Sequence, residues 1–377
     1  MKRVLTVGLV GLAALSLAGS HANADNLGVA NDFNVFVLGN DSQYGPDAEG
    51  RVAVGGTADF TNGGSGGYTV NSHNLSGTGL LVGGAYKNNG TTLNGNIYVN
   101  GNATIATPTI NGSLYANNSV AFSGGGSFNN GGTINLVTGK SYTHDEGYSP
   151  FSSPNMSATA YKVPANAIVA ANPAAPIDIA AYFTSASSYL TGHSTGWGAL
   201  GANGTISLST NDVTLQHGAT NPLLTDIFLV SGTQLQNASS ITINANAGYS
   251  VLVNVTGLAD HTNFFPNINI SINGTDKTKV LYNFSQATGG LTLNGLGVQG
   301  SVLAPYSNLT FNGGHIDGTL IANNLFNGGS GGGESHDFQF AGNLPAVGAA
   351  ATPEPGAVAL FSAVLISGGA LLRRRRK

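Results

Sequence analysis

Two groups of titratable residues stand out in a chain otherwise poor in charge. Asp47, Glu49 and Arg51 form the densest charged cluster, and Glu334, His336 and Asp337 form a second, with His315 as a candidate neighbour. The first could hold calcium or process carbohydrate. A glycosidase, however, needs two carboxylates facing one bond; no such pair is visible in the sequence, and no second acidic group lies near this cluster. The second could be a metal cluster, but it lacks the helical His-x-x-x-His spacing of catalytic zinc. Both groups read better as structure: a salt-bridged turn at the start of the first repeat, and a hydrogen-bonded cap at the end of the domain. The glycine run at 63–67 lacks the Lys-Ser/Thr of a phosphate loop and reads as a loop tip. No residue is therefore assigned a catalytic, cofactor-binding or metal-binding role, and no cofactor is expected. Tyr44, Tyr68, Tyr86, Tyr98, Tyr115 and Trp197 could form an aromatic sugar-binding surface. The candidate pair is Tyr98 and Tyr115, expected to point outward and stack in register.

The elements that must position these side chains are repeats. Gly300-Ser301-Val302-Leu303-Ala304 and Gly318-Thr319-Leu320-Ile321-Ala322 share the pattern Gly-x-apolar-x-apolar, and so do Gly50 to Val54, Gly95 to Val99 and Gly112 to Ala116. Alternation places every second side chain inward. A short, nearly fixed period indicates a solenoid, whose coils bury their inward residues only by stacking. Two blocks of coils are expected to form one β-solenoid. At its front, 34–39 and 47–56 read as two strands across a turn, and at its back 333–340 reads as hairpin-like. Between the blocks, Asp178 to Leu190 is the helix candidate, with apolar residues at three-and-four spacing and Gly192 after it. It should lie along the side of the solenoid or cap one end.

Composition agrees. Of 377 residues, 56 are glycine and only 8% are charged, while 41% are hydrophobic, which argues against disorder and for many tight turns. Between the termini six basic residues face sixteen acidic ones, so nucleic-acid binding through phosphate contacts is excluded as a reading. The absence of cysteine rules out a disulfide scaffold.

The two ends read as delivery segments. Lys2 and Arg3, an apolar stretch and Ala22-Asn23-Ala24 predict a signal peptide over 1–24, cleaved between Ala24 and Asp25. The solenoid domain is expected over 25–342 and a linker over 343–352. Pro353-Glu354-Pro355 then precedes an apolar segment at 357–372 and a basic end, Arg373 to Lys377, which the positive-inside rule keeps cytoplasmic.

This tail resembles the PEP-CTERM sorting signal, with Pro353, Glu354 and Pro355 as its motif. The resemblance implies processing by an exosortase in a Gram-negative exporter of exopolysaccharide, with the 357–372 segment in the membrane beforehand. Asn34 to Gly39, Asp47 to Gly56, the Ala/Ser-rich helix, Val251 to Gly257, Gly300 to Pro305, Gly318 to Ala322 and Glu334 to Phe338 together resemble the choice-of-anchor A domain, an adhesive bacterial module. That resemblance implies an all-β fold: a right-handed parallel β-helix with one long α-helix packed alongside. It further implies a non-enzymatic adhesin or structural protein of the cell surface, extracellular matrix or biofilm, whose partner is an extracellular polysaccharide or surface ligand. The alternatives are a polysaccharide-active β-helix enzyme and an ice-binding protein. The latter predicts regular Thr-x-Thr ranks, which the sequence does not show.

Overall fold

The computed structural model describes residues 25–45, 47–61, 68–73, 76–145, 154–164, 177–219, 223–258, 263–266, 268–328 and 332–347. The expected signal peptide (1–24), the end of the linker and the sorting segment (353–377) lie outside them. Among the described residues no helix is long and apolar enough to cross a membrane.

Each coil turns through three short strands in a fixed order, which we term faces A, B and C. In one coil Asn96–Val99 lies on face A, Ala103–Ala106 on B and Thr109–Asn111 on C. The next coil places Leu114–Ala116, Val120–Ser123 and Ser127–Phe128 beside them, parallel and in register. Ile97, Val99, Ile105, Ile110 and their equivalents point inward and make one continuous core. The glycines of the repeat sit at the corner before face A. Gly300 has φ +131°, and a Cβ on Gly318 would collide with the Gly300 carbonyl, so only glycine lets these two coils close. Val302, Leu303 and Ala304 then pair with Leu320, Ile321 and Ala322, the register that the repeats predict.

Two local expectations need correction. Val35–Val37 and Val52–Val54 are parallel neighbours one coil apart, with Asp41–Gln43 and Asp47–Ala48 filling faces B and C between them. Glu334–His336 is likewise no hairpin arm: it pairs in parallel with 315–317, and Ser335 pairs with Ala48. In both places alternation identifies a strand but not its partner.

The two blocks join in an order that the chain does not follow. Along face A the strands run Thr225–Ser231, Ser250–Thr256, Val280–Asn283, 301–304, 320–322, Val35–Val37, Val52–Val54, Thr78–Val82, Asn96–Val99, Leu114–Ala116, Ile134–Val137 and Asn155–Ser157. The chain starts in the middle, climbs to one end, crosses back, and climbs again until its last coil meets its first. All three faces continue across that junction, through Val35 with Leu320, Asp41 with Leu325 and Ala48 with Ser335.

Helix α1 (Ile179–Gly198) makes the return crossing, capped by the Asp178 carboxylate, which accepts from Ala181 N. Its 20 residues span about 30 Å, or roughly six rungs at about 4.8 Å each. Phe183 packs at Gly55 and Gly83, while the Ser194 hydroxyl donates to Asn283 (2.6 Å) and the Trp197 carbonyl accepts from Asn254 (2.7 Å). Beneath it lie Phe36, Ala53, Leu81, Leu252, Leu281, Leu303 and Ile321, the outward residues of face A. The helix runs past Leu190 because Gly192 faces open space, while buried His193, Ser194 and Trp197 continue the inner face. Here packing outweighs the local stop signal.

At one end, Thr205–Ser209 pairs antiparallel with Asp212–Gln216 and so ends the parallel stacking. Residues 340–347 form a strap along the block that begins there. Phe340 N donates to Thr319 Oγ1, Ala341 N to Thr278 O and Asn343 N to Ser250 Oγ. Leu344 pairs with Asp25, and Pro345 O accepts from Trp197 Nε1.

Candidate binding faces

Face A is covered by α1 over about six of its twelve rungs, which leaves faces B and C as the more open surfaces. On face C the outward residues of four successive coils read Thr69 and Asn71, Thr92 and Asn94, Thr109 and Asn111, Ser127 and Asn129, with Val70, Leu93, Ile110 and Phe128 between them. The result is a half-buried rank of hydroxyls beside a line of amides, of which Asn71 and Asn94 are buried and Asn111 and Asn129 reach the surface. The side chains are held along the line: Asn94 Nδ2 donates to the Asn71 backbone carbonyl (3.0 Å), Asn111 Nδ2 to Asn94 Oδ1 (2.7 Å) and Asn129 Nδ2 to Asn111 Oδ1 (2.8 Å). Threonine is stiff at χ1, so the adjoining hydroxyl rank is also held in place.

The ranks run into the two charged clusters, which the fold merges at the junction of the blocks. Asp47 and Glu334 become neighbours through the pairing of Ala48 with Ser335. Burial raises the Asp47 pKa, the Ser72 hydroxyl opposes this, and the charges of Glu334 and Glu49 add to it. Asp317 accepts from Lys277 Nζ (2.6 Å) and lies 2.5 Å from His336 Nδ1. Burial pushes its pKa up, but these two partners outweigh it and the net shift is downward. Glu49 accepts from Asp337 N (2.9 Å) and lies 3.3 Å from His73. The second cluster is thus hydrogen-bonded, as expected, but it sits mid-solenoid and caps nothing. Arg51 makes no ion pair among the described residues, so the first cluster is not closed by the arginine. No group of acidic and histidine side chains among the described residues is arranged to hold a metal ion.

One consequence is measurable. Burial disfavours the His336 imidazolium, but hydrogen bonds to Asp317 and Glu334 outweigh this and raise its pKa above 6.5. Its stabilisation is complete below pH 6.5 and is lost as the pH rises through the higher folded value. His336→Gln should therefore lower the unfolding free energy by about 1 kcal/mol at pH 5.5, and by clearly less at pH 9. Urea titrations at the two pH values check this.

A protein-family description, "Putative Ice-binding-like adhesive domain", matches residues 26–337. The chain belongs to this family. The match supports the adhesive class that the sequence motifs imply, under a different family name. No curated protein matches the chain. Among solved structures, an ice binding protein from an Antarctic bacterium Flavobacteriaceae aligns at 12% identity over 83% of this chain and 97% of that one, with a TM-score of 0.24. A score of that size carries no argument.

The adhesive domain places most of the tyrosines out of reach. Tyr98 and Tyr115 point outward and stack as expected, with ring centroids 4.7 Å apart and planes at 7°. Tyr98, however, is only 3% exposed beneath the layer that covers face A, and Tyr161 packs edge-on against Tyr115. The pair is a packing ladder and offers no open aromatic face. Tyr68 and Tyr86 are buried in the core and Trp197 on the inner face of α1, and of the six candidates Tyr44 is the most exposed, at about a third. The ranks of face C were missed. Their signal is the repeated triplet Thr-Val-Asn, Thr-Leu-Asn, Thr-Ile-Asn and Ser-Phe-Asn, which neither the Gly-x-apolar pattern nor a search for Thr-x-Thr detects.

Proposed function

We propose that this chain is an exported adhesive module that holds an extended polymer, such as an extracellular polysaccharide, against the flat polar surface of face C. The observation that carries the reading is the hydroxyl rank of Thr69, Thr92, Thr109 and Ser127, repeated over four coils and flanked at the surface by Asn111 and Asn129. Such a surface offers many equivalent weak contacts along a line, which suits a repeating ligand and multiplies when copies are crowded. The sequence adds the delivery route: cleavage between Ala24 and Asp25, and exosortase sorting through Pro353, Glu354 and Pro355 after passage of 357–372 into the membrane. The destination is the surface or matrix of a Gram-negative bacterium, and the solenoid is read as right-handed and of the choice-of-anchor A type.

The test is a double variant, Thr92→Tyr with Thr109→Tyr, which roughens the hydroxyl rank at outward strand positions. Retention on the producer's immobilised exopolysaccharide should fall by about tenfold. Unchanged retention would overturn the assignment of face C.

Ice binding is the second reading, favoured by the threonine rank itself, in which asparagine replaces every second threonine of the expected Thr-x-Thr ladder. Thermal hysteresis that the same double variant abolishes would select it. A polysaccharide-active enzyme would instead consume the polymer and lose that activity in Asp47→Ala or Glu49→Ala.

A further inference from the structure

Face B carries a second feature, independent of face C. Tyr44 and Phe326 are 36% and 44% exposed, and their rings meet edge to face at 5.6 Å. Beside Phe326 runs an open groove of about 280 Å³, lined on its polar side by Asn40, Ser42, Asn308, Thr310 and Asn324. We propose that this groove is a saccharide subsite that takes one neutral pyranose ring of a longer chain.

The chemistry of the lining selects the ligand class. A pyranose has an apolar C–H face and a rim of hydroxyls. Phe326 supplies the flat apolar platform, and its ring lies against Gly328, where a Cβ would collide with it. Tyr44 lies outside the groove lining and buttresses the Phe326 ring edge to face. The amides are fixed in a relay: Asn324 Nδ2 donates to Asn308 Oδ1 (2.7 Å), Asn40 N donates to Asn324 Oδ1 (2.7 Å), and Thr57 N donates to Asn40 Oδ1 (2.8 Å). This orientation leaves the Nδ2 groups of Asn40 and Asn308 without a protein acceptor among the described residues, as donors for sugar hydroxyls. No charged side chain lines the groove. The nearest along the rank, Asp59, is held by Thr61 (2.6 Å) and Lys87 (3.3 Å), which favours a neutral sugar over a uronate. The groove's size suits one sugar ring. Its walls come from three coils that meet only at the junction of the blocks, so the site exists only in the closed solenoid. A rigid ring and preset amides reduce the ordering cost of binding.

Isothermal titration of the full-length chain with cellohexaose, laminarihexaose and chitohexaose tests the proposal, with an oligoglucuronate as the charged comparison. At least one neutral hexaose should bind. Phe326→Ala and Tyr44→Ala should each weaken it by about tenfold, while Phe326→Trp retains it. Asn308→Ala reads the same site from the amide side and should also weaken binding, and the Thr92→Tyr, Thr109→Tyr double variant should leave it unchanged. Binding by none of the neutral hexaoses overturns the subsite, and so does undiminished binding in Phe326→Ala or Asn308→Ala. Preference for the oligoglucuronate overturns its neutral character.

Discussion

Asp41→Asn is expected to raise the unfolding free energy at pH 7 by on the order of 4 kcal/mol. Asp41 is 1% exposed inside the solenoid, where burial raises its pKa from 3.8 to about 8 despite a hydrogen bond from Gln43. Its Oδ2 and the Gln43 Oε1 both lack partners. The folded state therefore holds a proton that the unfolded chain releases above pH 3.8. The fold loses stability as the pH climbs from about 4 to about 8, and the loss levels off beyond that. A carboxamide keeps the acceptor for Gln43, supplies an N–H donor and never ionises. The variant and the parent should converge near pH 4 and diverge steadily towards pH 8. Chemical denaturation at pH 4, 6 and 8 measures the gap, and a gap independent of pH would show that Asp41 does not titrate in this way.

The second large effect is expected at Asn34, where the blocks meet. Its side chain is buried, and its Nδ2 donates to Gly318 O (3.1 Å) and His336 O (2.8 Å) of the last coil, while its Oδ1 accepts from Gly50 N (3.2 Å). Alanine would leave two carbonyls and one N–H unpaired between coils. At about 1–3 kcal/mol for each buried group left unsatisfied, the total should be about 3–5 kcal/mol. Asn117→Ala, which removes a half-buried rung of a corner ladder bonded to Asn100 (3.2 Å) and Tyr161, should cost less. A comparison of the two by urea denaturation tests whether the junction is a principal fastening of the solenoid. Equal costs would refute it.

The rungs were legible because each coil needs apolar residues at the same inward positions, so Ile97 and Leu114, or Val302 and Leu320, announce themselves by period. The junction was not. Any apolar rung can pair with any other, and Leu320 against Val35 leaves no mark in a sequence where the partners are nearly 300 residues apart. The same separation hid Phe326 from Tyr44 and kept the two charged clusters looking like separate features. The helix was placed correctly but ended too early, because Gly192 stops a helix only when nothing beyond it is buried. Tyr98 was oriented correctly yet misjudged: strand alternation tells which way a side chain points, not what covers it. The Thr-x-Asn triplets are plain once the coils are stacked, since only then do they fall on one line.

The strap at 340–347 has a mechanical consequence. Whatever holds the chain beyond Val347 pulls on a segment fastened in turn at Asp25, Ser250, Thr278 and Thr319, along the second block of the solenoid. Tension on such a segment is carried as shear, shared among several fastenings, rather than unzipping one coil from the next. The load enters on the side that α1 covers and leaves faces B and C turned away from the point of attachment. The fold thus sets its C-terminal fastenings on the side that α1 covers and faces B and C on the others, as a bracket does.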